Sequence, residues 1–157
     1  MRQSAQIELA AALLRPADPE EGEQLWNEFA RSAFTFTFKR LMSMSRKGTV
    51  FAAARRVGLR QFEGLTPPKD WTRDDRAEIA RVAIGEAFLR FRDDGALAAW
   101  DPDESDLYSW FVTNCLLVYA DAYNNWVRGS QVSDSIGRGQ HRYLRAFIDD
   151  EEDGGAG

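Results

Sequence analysis

The chain has 157 residues, 44% of them hydrophobic, with ten Phe and five Trp; that is enough for the core of one ordinary domain and too apolar for wholesale disorder. No apolar run approaches the roughly 18 residues of a membrane span, and the opening MRQSAQIELAAALLRP has an acid in its apolar stretch and no cleavage pattern. A soluble, cytoplasmic protein with no membrane partner is expected. The net charge of −5 is concentrated in the tail acids Asp149, Asp150, Glu151, Glu152 and Asp153, without which the rest of the chain is neutral.

Residues 5 to 14 form an Ala/Leu-rich helix candidate that ends before Pro16. A second helix begins with Asp18 as N-cap and Pro19 in the first turn. Glu20, Glu21 and Glu23 complement the positive end of its dipole. Leu25, Trp26, Phe29 and Ala30 make one apolar stripe along it. The next stretch alternates Phe34, Phe36 and Phe38 with Thr35 and Thr37, as a strand would. It is read as helix, because the sequence offers no second strand to pair with it. A third helix spans about Thr49 to Val57 and should stop at Gly58.

The segment EGLTPPKDW is a loop, since Pro67 and Pro68 bar regular helix. Thr72 then caps a helix to about Phe91, with Asp74 and Asp75 in its first turn. Ile79, Val82, Ala83 and Phe88 are placed toward its core, and Asp93, Asp94 and Gly95 end it. After the connector GALAAWDPDESD, a helix runs from about Asp106 to Val127, roughly 30 Å long. Leu107, Phe111, Cys115, Val118 and Ala122 form its buried stripe. A last short helix is expected over Gln140 to Phe147. The fold class that follows is all-α, a compact bundle of about five helices.

Few chemistries fit. The single Cys115 and single His141 are too few for a zinc site. A catalytic triad is not expected, since the one histidine lies near the chain end. Gly137 and Gly139 do not follow a strand, so neither a dinucleotide fingerprint nor a P-loop is supported. Carboxylate pairs such as Asp101 with Asp103 or Asp74 with Asp75 sit at helix starts, where capping accounts for them. No enzyme, no metal and no cofactor are expected. Residues 30 to 62, by contrast, hold Arg31, Lys39, Arg40, Arg46, Lys47, Arg55, Arg56 and Arg60 with no acid among them. This block reads either as a polyanion-facing surface or as a solvated face with countercharges elsewhere in the fold.

Two segments carry more specific information: RAEIARVAIGEAFLRFRDD and DLYSWFVTNCLLVYADAYNNWVR, joined by a connector containing WDPDESD. The first contains Glu86-Ala87-Phe88-Leu89-Arg90; the second begins with Ser109-Trp110 and has Asp121 eleven residues after the Trp. In these features the sequence resembles region 2 of the sigma-70 family of bacterial RNA polymerase sigma factors, especially the extracytoplasmic-function type. The resemblance covers roughly residues 20 to 128, with specific motifs in 78 to 128. It implies a sigma-like region 2 over 18–130, an N-terminal helical extension over 1–17, and a short helix with an acidic disordered tail over 131–157.

The resemblance further implies that the first of the two helices docks on the β′ clamp helices of core RNA polymerase, with Glu78, Arg81, Glu86 and Arg90 as contact residues. Two registers one turn apart place the family's acidic position at Glu86 or at Val82. The second helix would hold single-stranded promoter DNA through Tyr108, Trp110, Tyr119, Tyr123, Trp126 and Arg128, by stacking of bases and attraction of phosphates. Aromatics at helical spacing also build cores, and Phe111 with at least one Trp is assigned to packing.

Where the family carries a run of arginines, this chain has Asn124, Asn125, Trp126 and Val127 before Arg128. The residues after Arg128 are too few for the family's second, helix-turn-helix domain, so a region-2-only protein is expected. The alternative is a sigma-like interaction module that has lost DNA recognition, regulating polymerase or partnering another sigma or an anti-sigma protein. Its acidic tail would then compete with nucleic acid for the basic surface.

Overall fold

A computed structural model describes residues 2–57 and 67–136, with side chains described through residue 129. Among the described residues there are five helices and no strand: α1 (Gln3–Leu14), α2 (Pro19–Lys47), α3 (Val50–Arg56), α4 (Arg73–Asp93) and α5 (Leu107–Ile136). The fold is all-α. The chain divides into a unit of residues 1–122 and a second of residues 123–157. Helix α1 belongs to the first unit and buries Gln6, Ala10 and Leu13. The expected Gly58 cap, the helix over Gln140 to Phe147, His141 and the acidic tail lie outside the described residues.

Local chemistry accounts for the helix limits. Asp18 accepts a hydrogen bond from the Glu21 N–H at 2.8 Å at the start of α2, with Pro19 following. Thr72 and Asp75 form a capping box at α4: the Asp75 N–H donates to Thr72 Oγ1, and the Thr72 N–H to the Asp75 carboxylate. Gly48, at φ 74°, closes α2, and Gly95, at φ 79°, follows the end of α4. Both adopt the left-handed conformation that glycine enters without a Cβ penalty.

The Phe/Thr alternation of residues 34–38 lies inside α2, a single 29-residue helix. Its buried positions are Gly22, Trp26, Phe29, Ala33, Thr37, Leu41 and Ser45, spaced three or four residues apart on one stripe. The alternation therefore does not govern burial, and Thr35 is exposed like its Phe neighbours. Thr37 is fully buried, while Phe34 and Phe36 are exposed. In α4, Ile79 and Ala83 are buried as expected, but Val82, expected toward the core, is 47% exposed. Successive helical positions are turned by about 100°, which carries position 82 off the Ile79–Ala83 stripe.

The first unit is organised around rings. Phe29 of α2 lies 5.9 Å from Phe91 of α4 in a stacked geometry, and 6.0 and 5.8 Å from Tyr108 and Phe111 of α5. Phe91 and Phe111 meet edge to face at 5.0 Å. Trp26 adds edge contacts to Phe29 and Phe88. A smaller cluster around Phe51 of α3 includes Trp71 and Tyr119. An exposed Arg92–Glu23 ion pair also links α4 to α2.

The Thr37 hydroxyl is buried without a hydrogen-bond partner. A buried unmet polar group costs about 1–3 kcal/mol, and valine has nearly the same shape. Thr37→Val is accordingly expected to raise the melting temperature by about 2–4 °C for each kcal/mol recovered in a chain of this size. A thermal melt followed by circular dichroism checks this; a lower melting temperature would show that the hydroxyl contributes to the fold.

Candidate functional site

Helix α5 begins where three elements meet. Its first N–H, that of Leu107, is buried and donates to Gln6 Oε1 of α1 at 3.0 Å. The orphan donor of a helix start is thus satisfied by a side chain 101 residues away in sequence. Asp106 provides the local cap, accepting from the Ser109 N–H at 2.8 Å and from the Ser109 hydroxyl at 2.9 Å. The Ser109 backbone bond holds the Asp106 carboxyl below its ordinary value against an opposing effect of burial, with smaller help from the Ser109 hydroxyl, the Tyr108 N–H and the Arg40 charge.

The connector between α4 and α5 is pinned by two indoles. Trp110 Nε1 donates to the Ala96 carbonyl at 2.8 Å, and Trp100 Nε1 to the Ser105 carbonyl at 2.9 Å. Leu97 of the same connector is buried. Trp110, expected as a DNA contact, is therefore half-buried and engaged in holding the connector.

The other expected DNA contacts separate. Tyr119 has no exposed surface and packs on Phe51, which corrects its expected role: a ring with no exposed face has none to offer a base. Tyr108 is half-buried, with Phe29 on one side and Phe36 at 5.7 Å on another. In the second unit, Tyr123 is buried, and burial raises its phenol pKa. Its ring lies 6.1 Å from that of Trp126 at a tilt of 31°. Trp126 is half-buried with its Nε1 lacking an acceptor, and Arg128 is exposed. Asp121, one of the residues on which the resemblance rests, is exposed. The expected stripe of Leu107, Phe111, Cys115, Val118 and Ala122 is buried throughout. Burial drives the Cys115 thiol pKa strongly up, so it is no nucleophile at neutral pH.

The four expected polymerase contacts stand together. Glu78, Arg81, Glu86 and Arg90 are all exposed on α4, at spacings that keep them on one side of the helix. Val82 and Leu89, 47% and 52% exposed, lie among them. Arg81 also lies 5.7 Å over the ring of Phe38, which stacks on exposed Phe34. The sequence reading missed this aliphatic surface by assigning Val82 to the core. It also left Phe36 without a role; the signal was its phase against the Trp26–Phe29–Ala33 stripe.

Among the described residues no group of His, Cys, Asp and Glu is placed to hold a metal ion, and no helix is long and apolar enough to cross a membrane. Compared with protein families, with curated proteins and with solved structures, the chain finds no match in any of the three.

Because Asp106 is held charged in the folded state, its stabilising bonds are complete above the ordinary aspartate value near 4 and are lost as pH falls through the lower, folded value. Asp106→Asn should melt below the wild type at pH 7, and the gap should close as both are acidified to about pH 2. A gap of constant size across that range would show that the charge is not what matters.

Proposed function

We propose that the chain is a sigma-70-like transcription initiation factor that binds core RNA polymerase through α4 and single-stranded promoter DNA through the later part of α5. The observation that carries this reading is the outer face of α4. A folded protein gains about 1.5–3 kcal/mol by fully burying a valine or leucine side chain, yet Val82 and Leu89 stand in solvent within a frame of Glu78, Arg81, Glu86 and Arg90. An aliphatic centre with a charged rim of both signs suits a protein partner, and a charged partner helix in particular. Gly85 lies on the same face with open space around it, which permits close approach.

The DNA half rests on the end of α5. Trp126 offers a partly exposed ring, its indole N–H being buried, and Arg128 an exposed cation. The second reading, an interaction module that binds polymerase or another sigma or anti-sigma protein without reading DNA, is favoured by the burial of Tyr119 and Tyr123 and by Asn124 and Asn125.

The readings separate in two measurements. Core polymerase should be retained by the immobilised wild-type chain and lost with Glu86→Lys or Leu89→Asp. A labelled minus-ten-like single strand should bind the wild type, and Trp126→Ala should weaken it about tenfold, consistent with the loss of one stacked base, with polymerase retention unchanged. Retention of polymerase with no effect of Trp126→Ala on DNA selects the second reading. No retention of polymerase by the wild type overturns the first.

A further inference from the structure

A different face of the first unit carries cations and rings that neither the α4 contact nor the Trp126–Arg128 end of α5 uses. The outer side of α2 presents Arg31, Ser32, Thr35, Phe36, Lys39, Arg40 and Ser43 along a shallow groove. Arg31, Lys39 and Arg40 are exposed and make no ion pair or hydrogen bond among the described residues. They belong to the stretch of residues 30 to 62 that contains no acid, and the nearest carboxylate on the helix itself is Glu28, one turn before Arg31. Asp106 of α5 feels the charge of Arg40 but spends its carboxylate on Ser109.

An aromatic centre lies among these cations. Phe36 is 40% exposed. The Arg40 guanidinium lies 5.8 Å over its ring, and the half-buried Tyr108 ring is 5.7 Å away. The Tyr108 ring is anchored from behind by Phe29. The result is a cluster in which the Arg40 guanidinium covers the Phe36 ring and the Tyr108 ring meets it at a tilt of 47°, flanked by Arg31 and Lys39, which lie about 12 Å apart along the helix.

We propose that this face of α2, with Tyr108 at the start of α5, is a binding surface for single-stranded nucleic acid. Cations alone attract any polyanion, but the ring and guanidinium planes are useful only to a ligand with unstacked flat faces. Duplex DNA keeps its bases stacked and leaves Phe36 without a role. An acidic polypeptide pairs with the three cations and leaves the rings unused. The single strand matches both sets of groups, the phosphates with Arg31, Lys39 and Arg40 and a base with the Phe36–Arg40 stack. The proposal does not require polymerase binding or the Trp126 site.

The test is anisotropy of a labelled oligothymidylate of about 12 nucleotides, within the size range of single-strand sites, titrated with the full chain. A duplex of equal length, an abasic strand and polyglutamate serve as competitors. Wild type should bind with log Kd rising against log salt with a slope of about two, as three phosphate contacts require. The triple variant Arg31→Gln, Lys39→Gln, Arg40→Gln should abolish that slope. Phe36→Ala should weaken binding about tenfold. Phe34→Ala, an exposed ring elsewhere on α2, should leave it unchanged, and melting curves confirm that each variant folds.

Competition by the abasic strand or by polyglutamate as strong as by oligothymidylate itself overturns the proposal in favour of a simple polyanion surface. So does a Phe34→Ala loss equal to that of Phe36→Ala. An unaltered Kd for the triple variant overturns it outright. Loss of polymerase retention in the separate experiment leaves these results untouched, so the two readings fail independently.

Discussion

Phe29 meets Trp26 on its own helix, Phe91 on α4, and Tyr108 and Phe111 on α5. Interiors are packed as densely as organic crystals, so a ring held on several sides fixes the axial position of each helix that touches it. From that constraint follow the faces that α2 and α4 turn to solvent. With Trp26 and Phe29 committed to the core, the stripe continues through Ala33, Thr37 and Leu41. Phe34 and Phe36 are left outside by the helical period. With Phe91 committed, Ala87, Ala83 and Ile79 follow inward and Val82 and Leu89 outward.

The two outward faces differ in chemistry. The α4 face has aliphatic side chains within charges of both signs and suits a folded partner with a similarly mixed surface. The groove side of α2 has cations around an aromatic cluster and suits flexible polyanions with planar groups. Arg81 over Phe38 and Arg40 over Phe36 are the same kind of pairing put to two surroundings. What separates them is the nearby charge: Glu78 and Glu86 accompany the first on its own helix, whereas the second has no acid in α2 from residue 30 onward and only Asp106, bonded to Ser109, from α5.

Helix α5 is divided by burial more sharply than its aromatic content suggests. Tyr119 serves the Phe51 cluster, and Trp110 ties the connector to the helix through the Ala96 carbonyl. The start of the helix depends on Gln6, a side chain from the N-terminal helix expected to be an extension. A buried helix start without such an acceptor would leave an N–H unpaired in the core.

The sequence by itself determined the helical class, the caps at Asp18 and Thr72, the close of α4 at Gly95, the loop at Pro67 and Pro68, and the buried stripe of α5. Each follows from local rules: a side-chain oxygen at a helix start, a missing N–H, a glycine at positive φ, a 3.6-residue period. The exposure of Glu78, Arg81, Glu86 and Arg90 was legible in the same way, since charged side chains off an apolar stripe face water. The burial of Tyr119, the exposure of Val82, the inward turn of Thr37 and the capping of Leu107 by Gln6 were decided by the tertiary structure. A helix of alternating Phe and Thr has no preferred inner face until Phe29 is seated. An aromatic residue on a helix is platform or core according to whether another helix covers it, and that depends on residues distant in the chain.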